Sequence, residues 1–299
     1  MAVEMTLEKG FPSLLADARG ASRSGQDSYV RLTGAGLLVA LIAAVGGATN
    51  VDLSIGGREF DAGGAVAGVA FLVGIGVTIF FLVTRPERTW YEGRAAAESI
   101  KTLCWQYSVG GGIFGLSNGQ GATQLLLLRL REVVEAMKTT ELRAVVSGSQ
   151  VTEQMTLLRD QPLSVRRATY LHERLDGQIQ WYSDRAISNR ARVKRWFAAA
   201  ISFQLAGALL GMIKAFGIAE VDLLGVAAAI AAGISAWVQT KDHQNLSESY
   251  ALAAREIALV RTMGDRQVDE DELAWSRFVD DAEQAISREH TSWLARRRA

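Results

Sequence analysis

The chain has 299 residues with 32 basic and 32 acidic side chains, so its formal net charge is zero. That balance argues against a general nucleic-acid binder, which carries a basic excess. One cysteine, Cys104, excludes an intrachain disulfide framework and a cysteine-rich zinc site, and three prolines leave room for long uninterrupted helices.

Residues 1–31 are polar and contain no early apolar core, so no signal peptide is expected there. Four apolar runs follow in two pairs. The first pair is LTGAGLLVALIAAVGGA (32–48) and AGGAVAGVAFLVGIGVTIFFLVT (62–84). The second is WFAAAISFQLAGALLGMIKAFGIA (196–219) and LLGVAAAIAAGISAWVQT (223–240). Each approaches the roughly 20 helical residues that cross a bilayer core. Lys and Arg number 4 in residues 1–31, 1 in 49–61, 17 in 85–195, 1 in 196–240 and 9 in 241–299. Positive charge therefore avoids the short loop inside each pair. This is the pattern of two helical hairpins with N-terminus, central region and C-terminus in the cytoplasm.

At the ends of the runs, Arg85, Arg88, Trp90 and Tyr91 form one expected interfacial collar, and Arg192, Lys194, Arg195 and Trp196 form another. Small residues crowd the runs: Gly64 and Gly68 in the second, Gly207 and Gly211 in the third, Gly225 and Gly233 in the fourth. In lipid, helices associate through close contact of small faces, so these glycines are expected to pack helices within a subunit or between subunits of a homo-oligomer. The polar exceptions inside the runs are Thr78, Gln204 and Lys214. A polar group at depth faces protein or water. Gln204 either bonds to a neighbouring helix or lines a conduit, and it is the one pore candidate. Lys214 snorkels outward.

Between and after the runs the helical period continues. Residues 123–146 place Leu126, Leu130, Val133 and Met137 on one face, and 165–195 place Leu171, Leu175, Ile179, Tyr182, Ala186 and Val193 on one face, with Arg, Glu and Asp on the other. The second of these helices is expected to run into the third span without a break. After the fourth span, Leu246, Tyr250, Ala253, Ile257 and Val260 form a stripe, and Trp275, Val279, Ala282, Ile286 and Trp293 form the last. WYEGRAAAESIKTL (90–103) and SESYALAAREIALV (247–260) align at an offset that also lays the second span on the fourth. The repeat unit is a two-span hairpin followed by a cytoplasmic helix, in parallel orientation. The expected fold is an all-α integral membrane protein with four transmembrane helices in two hairpins, and long cytoplasmic helices forming a bundle or stalk. Residues 1–121 hold the first hairpin with its flanking helices, 122–164 a cytoplasmic helical connector, and 165–299 the second hairpin with its flanking helices.

Chemistry-bearing motifs are sparse. GGGIFG (110–115) has the glycine spacing of a dinucleotide loop, but that loop needs a preceding strand, and here a helix precedes it. Gly110–Gly121 is expected to be a flexible connector. His172, His243 and His290 have no neighbouring ligand at metal spacing and are expected on the surface. Cys104 has no nearby histidine and is expected to be a packed thiol. No catalytic residue, metal site or cofactor is expected, and the chain is not expected to be an enzyme.

With the spans placed, WYEGRAAAESIKTLCWQY (90–107) and VTEQMTLLRDQPLSVRRATYLHERLDGQIQWYSDRAISNRARVKRW (151–196) resemble the SLATT family, SMODS- and SLOG-associating two-transmembrane effector domains. The resemblance covers most of the chain as two units in tandem. It is carried by Trp90, Arg94, Glu98, Lys101 and Trp105, and by Arg159, Arg167, Tyr170, Arg174, Gln178, Trp181 and Tyr182. The glycine-rich SVGGGIFG departs from the family pattern. The resemblance implies a bacterial membrane effector that oligomerises and permeabilises the cell (inner) membrane as a pore, in a defence or conflict system driven by nucleotide signals. A separate protein that senses or produces the nucleotide would be its partner. The alternative is a non-conducting membrane scaffold or sensor that recruits a partner through its cytoplasmic helices.

Overall fold

Helix dominates the computed structural model, which describes residues 7–49, 52–55, 58–116, 121–137, 148–216, 223–266 and 271–298. In chain order, a short 3-10 turn (Leu7–Gly10) leads to α1 (Ser13–Ala48), a two-stranded hairpin of β1 (Asp52–Ile55) and β2 (Arg58–Asp61), α2 (Ala62–Thr84) and α3 (Pro86–Val109). A second 3-10 turn (Gly112–Phe114) precedes α4 (Ala122–Ala136), α5 (Glu153–Arg159) and α6 (Leu163–Thr169). A wide π turn (Tyr170–Asp176) joins α6 to α7 (Gly177–Ala215), and α8 (Leu223–Lys241), α9 (His243–Arg266) and α10 (Glu272–Arg298) complete the chain.

Local chemistry sets these boundaries. Asp61 caps α2, accepting from the Gly64 amide at 2.9 Å. Arg85 closes it in the left-handed region (φ 41), and Pro86, whose ring cannot continue a helix but suits a first turn, opens α3. The same joint recurs between α8 and α9. Asp242 is left-handed (φ 49), its amide bonds to the Val238 carbonyl, and a helix of 24 residues follows, as α3 has 24 residues. The repeat expected from sequence is therefore present in backbone geometry.

The chain divides into two compact units. One, here called the polar unit, is built from residues 1–26, 87–187 and 247–299; the other, the apolar unit, is built from 27–86 and 188–246. Within the apolar unit, α1 and α2 form an antiparallel hairpin. Tyr29 meets Phe81 at one end (ring centroids 5.6 Å), and at the other a Cβ built on Gly63 would lie 2.6 Å from the Gly46 carbonyl oxygen. α7 and α8 form the second antiparallel pair, with Gly207 against Ala227 and Asn189 against His243. The core of the polar unit includes Leu15, Ile100, Trp105, Phe114, Leu126, Met155, Tyr170, Leu175, Ile257 and Val279.

Several expectations change. The first span is the end of a 36-residue helix that begins at Ser13. The loop 49–61 is a β-hairpin with Asp52 opposite Asp61 and Leu53 opposite Phe60. The predicted helix 123–146 ends at Ala136 among the described residues, and its later part lies outside them. The helical path into the third run is continuous from Leu163 to Ala215, as expected.

Candidate functional site

The apolar unit presents hydrophobic side chains outward. Phe71, Leu72, Ile79, Leu82 and Val83 of α2 are exposed, as are Phe197, Leu205, Leu209 and Phe216 of α7. Water does not tolerate such a continuous apolar surface, whereas lipid covers it without cost. Three helical stretches among the described residues are long and apolar enough to cross a membrane: Ser13–Ala48, Ala62–Phe114 and Leu163–Ala215. No residue in the most apolar window of the third is buried inside the chain's own fold. The fourth apolar run forms the 19-residue α8.

The glycines separate into two groups. The tightest approach within the first hairpin is at Gly63, where an added Cβ would lie 2.1 Å from the Thr49 carbonyl oxygen. Sequence reasoning did not name Gly63. Gly64 faces its own N-cap, Asp61, and Gly207 meets the Ala227 methyl at 3.5 Å. At Gly68, Gly225 and Gly233 a Cβ would meet nothing within 4 Å. Gly211 is half-buried, and Gln204 is exposed. The Thr78 hydroxyl donates to the Gly74 carbonyl of its own helix at 2.9 Å. Arg85, Arg88, Lys194 and Arg195 are exposed and Trp196 is half-buried. Trp90 of α3 is buried, with its ring 5.3 Å from that of Tyr91.

The polar unit holds a buried ionic network. Arg174, 0% exposed, places Nε 2.8 Å and Nη2 2.6 Å from the two carboxylate oxygens of Glu283, itself 1% exposed. The Tyr170 hydroxyl donates to Glu283 Oε1 at 3.0 Å, and Thr102 donates to Oε2 at 2.7 Å. Arg174 Nη1 has no hydrogen-bond partner and lies 3.8 Å from Glu8 Oε1. Glu8 also accepts from the Trp105 indole at 3.3 Å and from Arg19 at 2.6 Å. Lys101 sits 2.7 Å from Glu98. Burial penalises both charged carboxylates, but for Glu8 the cations Lys101, Arg174 and Arg19 outweigh it and lower the pKa. For Glu98, Lys101 leads a similar outcome and holds the pKa down at about 2. Burial disfavours the Arg174 charge, yet Glu283 outweighs it and raises the pKa. Burial and Glu283 push the Tyr170 phenol well up, so it stays a donor.

The helical arithmetic explains this convergence. Tyr170, Leu171, Arg174 and Leu175 of the π turn are all buried, since positions i, i+1, i+4 and i+5 share one helix face. The sequence reading put the arginines of this helix on its solvent side; Arg174 is a correction to that. Glu283 was missed, although it stands among Val279, Ala282 and Ile286 on the apolar stripe of α10, and a carboxylate on such a stripe needs a buried partner.

SVGGGIFG is a held turn rather than a flexible connector through Gly115. The α3 C-terminus leaves carbonyls without helical partners. Arg159 donates to Tyr107 O (2.6 Å) and Phe114 O (2.8 Å), while Arg166 and the Trp275 indole both donate to Val109 O, at 2.7 and 2.8 Å. Arg166 also pairs with Glu272. Gly110 (φ 70) and Gly112 (φ 55) supply left-handed backbone, and a Cβ on Gly111 would lie 2.2 Å from Val279. The glycines let α10 approach; they hold no phosphate cradle. Residues 117–120 lie outside the described residues.

The predicted family-pattern residues thus fall into two groups, with Gln178 buried as well. Glu98, Lys101, Trp105 and Arg174 belong to the ionic network, and Arg94 is half-buried on the same helix as the first three. Trp181 and Tyr182 form an aromatic cluster with Tyr250 of α9, at centroid distances of 5.5 and 5.6 Å. Cys104 is a packed thiol whose pKa burial pushes up. His243 departs from expectation: it is buried, with Nδ1 2.7 Å from Asn189 Oδ1. His172 is exposed, and the side chain of His290 lies outside those described.

Two family models match in tandem. Residues 12–167 match SMODS and SLOG-associating 2TM effector domain 3, and residues 170–293 match SMODS and SLOG-associating 2TM effector domain 1. No curated protein matches the chain, and no solved structure does. The boundary between the matches falls just before Tyr170, where the π turn begins. The repeated span, left-handed joint and 24-residue helix are the two copies of one design, and the chain is a membrane-associated member of the SLATT family with two of its effector domains in tandem.

Proposed function

We propose that the chain is an oligomeric effector that permeabilises the bacterial inner membrane, with all four apolar runs as spans and both termini cytoplasmic. The observation that carries the proposal is the open small-residue surface of the apolar unit. Among the described residues, a Cβ built on Gly68, Gly225 or Gly233 would meet nothing within 4 Å. In lipid such faces drive helix association between subunits. The effector description and the association with SMODS and SLOG that the family name states support a partner that makes or senses a nucleotide signal. The reading includes no catalytic step and no cofactor. Four helices so poor in polar groups favour a conduit gated by a hydrophobic constriction, with Gln204 lining it.

The test is ion leakage from liposomes containing the purified protein, with oligomeric mass measured on the same sample. Leakage from a defined oligomer, reduced by Gln204→Leu, is the expected result. A tight bilayer that stays tight when the partner and its nucleotide are added overturns the pore reading. That outcome favours the scaffold instead, for which the exposed Leu252, Leu259 and Met263 row on α9 is the available recruiting surface.

A further inference from the structure

Where α7 enters its apolar run and α8 leaves its own, the cations outnumber their partners. We propose that Arg192, Arg195 and Lys241, gathered around His243, bind the phosphate of an anionic membrane-lipid headgroup. The proposal rests on α7 and α8 being membrane spans.

The level of the site follows from the chain. Arg195 immediately precedes Trp196 and the third apolar run, and Lys241 immediately follows the fourth. Asn189 on α7 touches His243 at 2.7 Å, and Gly207 touches Ala227 farther along the same antiparallel pair. The two polar-to-apolar transitions therefore lie side by side, at the depth where headgroup phosphates sit.

The charge inventory is positive. Arg192 and Arg195 follow Asn189 at three-residue intervals, on neighbouring turns of α7. Both are exposed, and neither pairs with a carboxylate among the described residues. Lys241 Nζ lies 4.8 Å above the Trp237 ring, a cation–π contact that places the ammonium without neutralising it. The nearby acids are Asp27, which acts on Lys241, and Asp242, which acts on His243 and accepts from the Asn245 amide at 2.7 Å. The two arginines and Lys241 stand against Asp27 and Asp242, and His243 also opens the 24-residue α9, whose positive dipole end adds to the field. Burial, then Arg192 and Lys241, hold the His243 imidazole below its ordinary pKa. The neutral ring packs against Asn189 without adding a fourth charge. A phosphate diester takes two arginine forks and a lysine point charge, and the tryptophans Trp196 and Trp237 sit where interfacial rings do.

The experiment titrates short-chain phosphatidylglycerol, with phosphatidylcholine as the neutral comparison, into the full-length protein in neutral detergent, counting bound lipid by native mass spectrometry. Phosphatidylglycerol binds in preference, and the preference falls about fivefold for each cation removed, in Arg192→Gln/Arg195→Gln and in Lys241→Gln. Arg131→Gln, on an exposed ion pair with Glu135 in the polar unit, leaves it unchanged. Equal binding of the two lipids, or variants that bind like the parent, overturns the proposal. So does displacement of the lipid by millimolar inorganic phosphate or ATP, which would assign the site to a soluble phosphate. Flotation on pure phosphatidylcholine vesicles separates the two readings. Parent and variants all float if the spans are correct, whatever the lipid preference; failure of the parent to float removes the spans and this site together.

Discussion

Replacing Glu283 by leucine leaves the most buried cation of the polar unit without its partner. Arg174 makes two short charge-assisted bonds to that carboxylate, and its next carboxylate oxygen, Glu8 Oε1, is 3.8 Å away. Removing one member of a buried ion pair costs about 3–5 kcal/mol. The Tyr170 and Thr102 hydroxyls also lose their acceptor, at about 1 kcal/mol each. Together that is about 6 kcal/mol, and at roughly 2–4 °C per kcal/mol the melting temperature falls by about 12–24 °C. Thermal unfolding in mild detergent, followed by tryptophan fluorescence, reads this directly. Trp105 and Trp275 both lie edge-on to Tyr170, at 5.9 and 5.7 Å. The double variant Arg174→Leu/Glu283→Leu removes both charges and melts above either single variant, though below the parent, because the two hydroxyls lose their acceptor and Glu8 loses one of its cations. A Glu283→Leu protein that melts within about 3 °C of the parent, or a double variant as unstable as the sum of the singles, refutes the reasoning.

Glu8 and Glu98 have folded pKa values below their unfolded ones, so their stabilisation is present above about pH 4.5 and lost as pH falls toward 2. The melting temperature is expected to hold from pH 7 to 5 and to drop below that, with a shallower drop in Glu98→Gln. Gly63→Leu, which forces a side chain into the Thr49 carbonyl, is expected to destabilise the first hairpin by about 1–3 kcal/mol or more; Gly225→Leu, in open space, leaves melting unchanged and lowers the oligomeric mass. Cys104, fully buried, resists maleimide labelling in the native protein and reacts on denaturation; native labelling within minutes refutes its packed placement.

The apolar unit was legible because its signals are local. A run such as 62–84 declares its helix by composition, and α2 spans Ala62–Thr84. The polar unit was legible only in part. The stripes through Leu126 and Leu130, Tyr250 and Ile257, and Val279 and Ile286 are buried as their period requires. The network itself depends on pairing across more than one hundred residues, from Arg174 to Glu283, which no single helix encodes. Its one local sign was polar residues standing on apolar faces, Lys101 beside Ile100 and Cys104, and Glu283 beside Ala282. The glycine turn was misread because glycine signals both freedom and close approach. Val279, packed where a Gly111 side chain would stand, decides for close approach.

The polar unit is assembled from three separated stretches, and the last contains Glu283. At roughly 5–20 residues per second of synthesis, Arg174 waits on the order of 5–20 s for a carboxylate made 109 residues later. Both apolar pairs have left the ribosome by then. The ionic lock therefore closes only after both apolar pairs have been synthesised, and a chain stopped short of α10 carries an unanswered buried charge. Synthesis of α10 is thus a condition for the folded state of the polar unit.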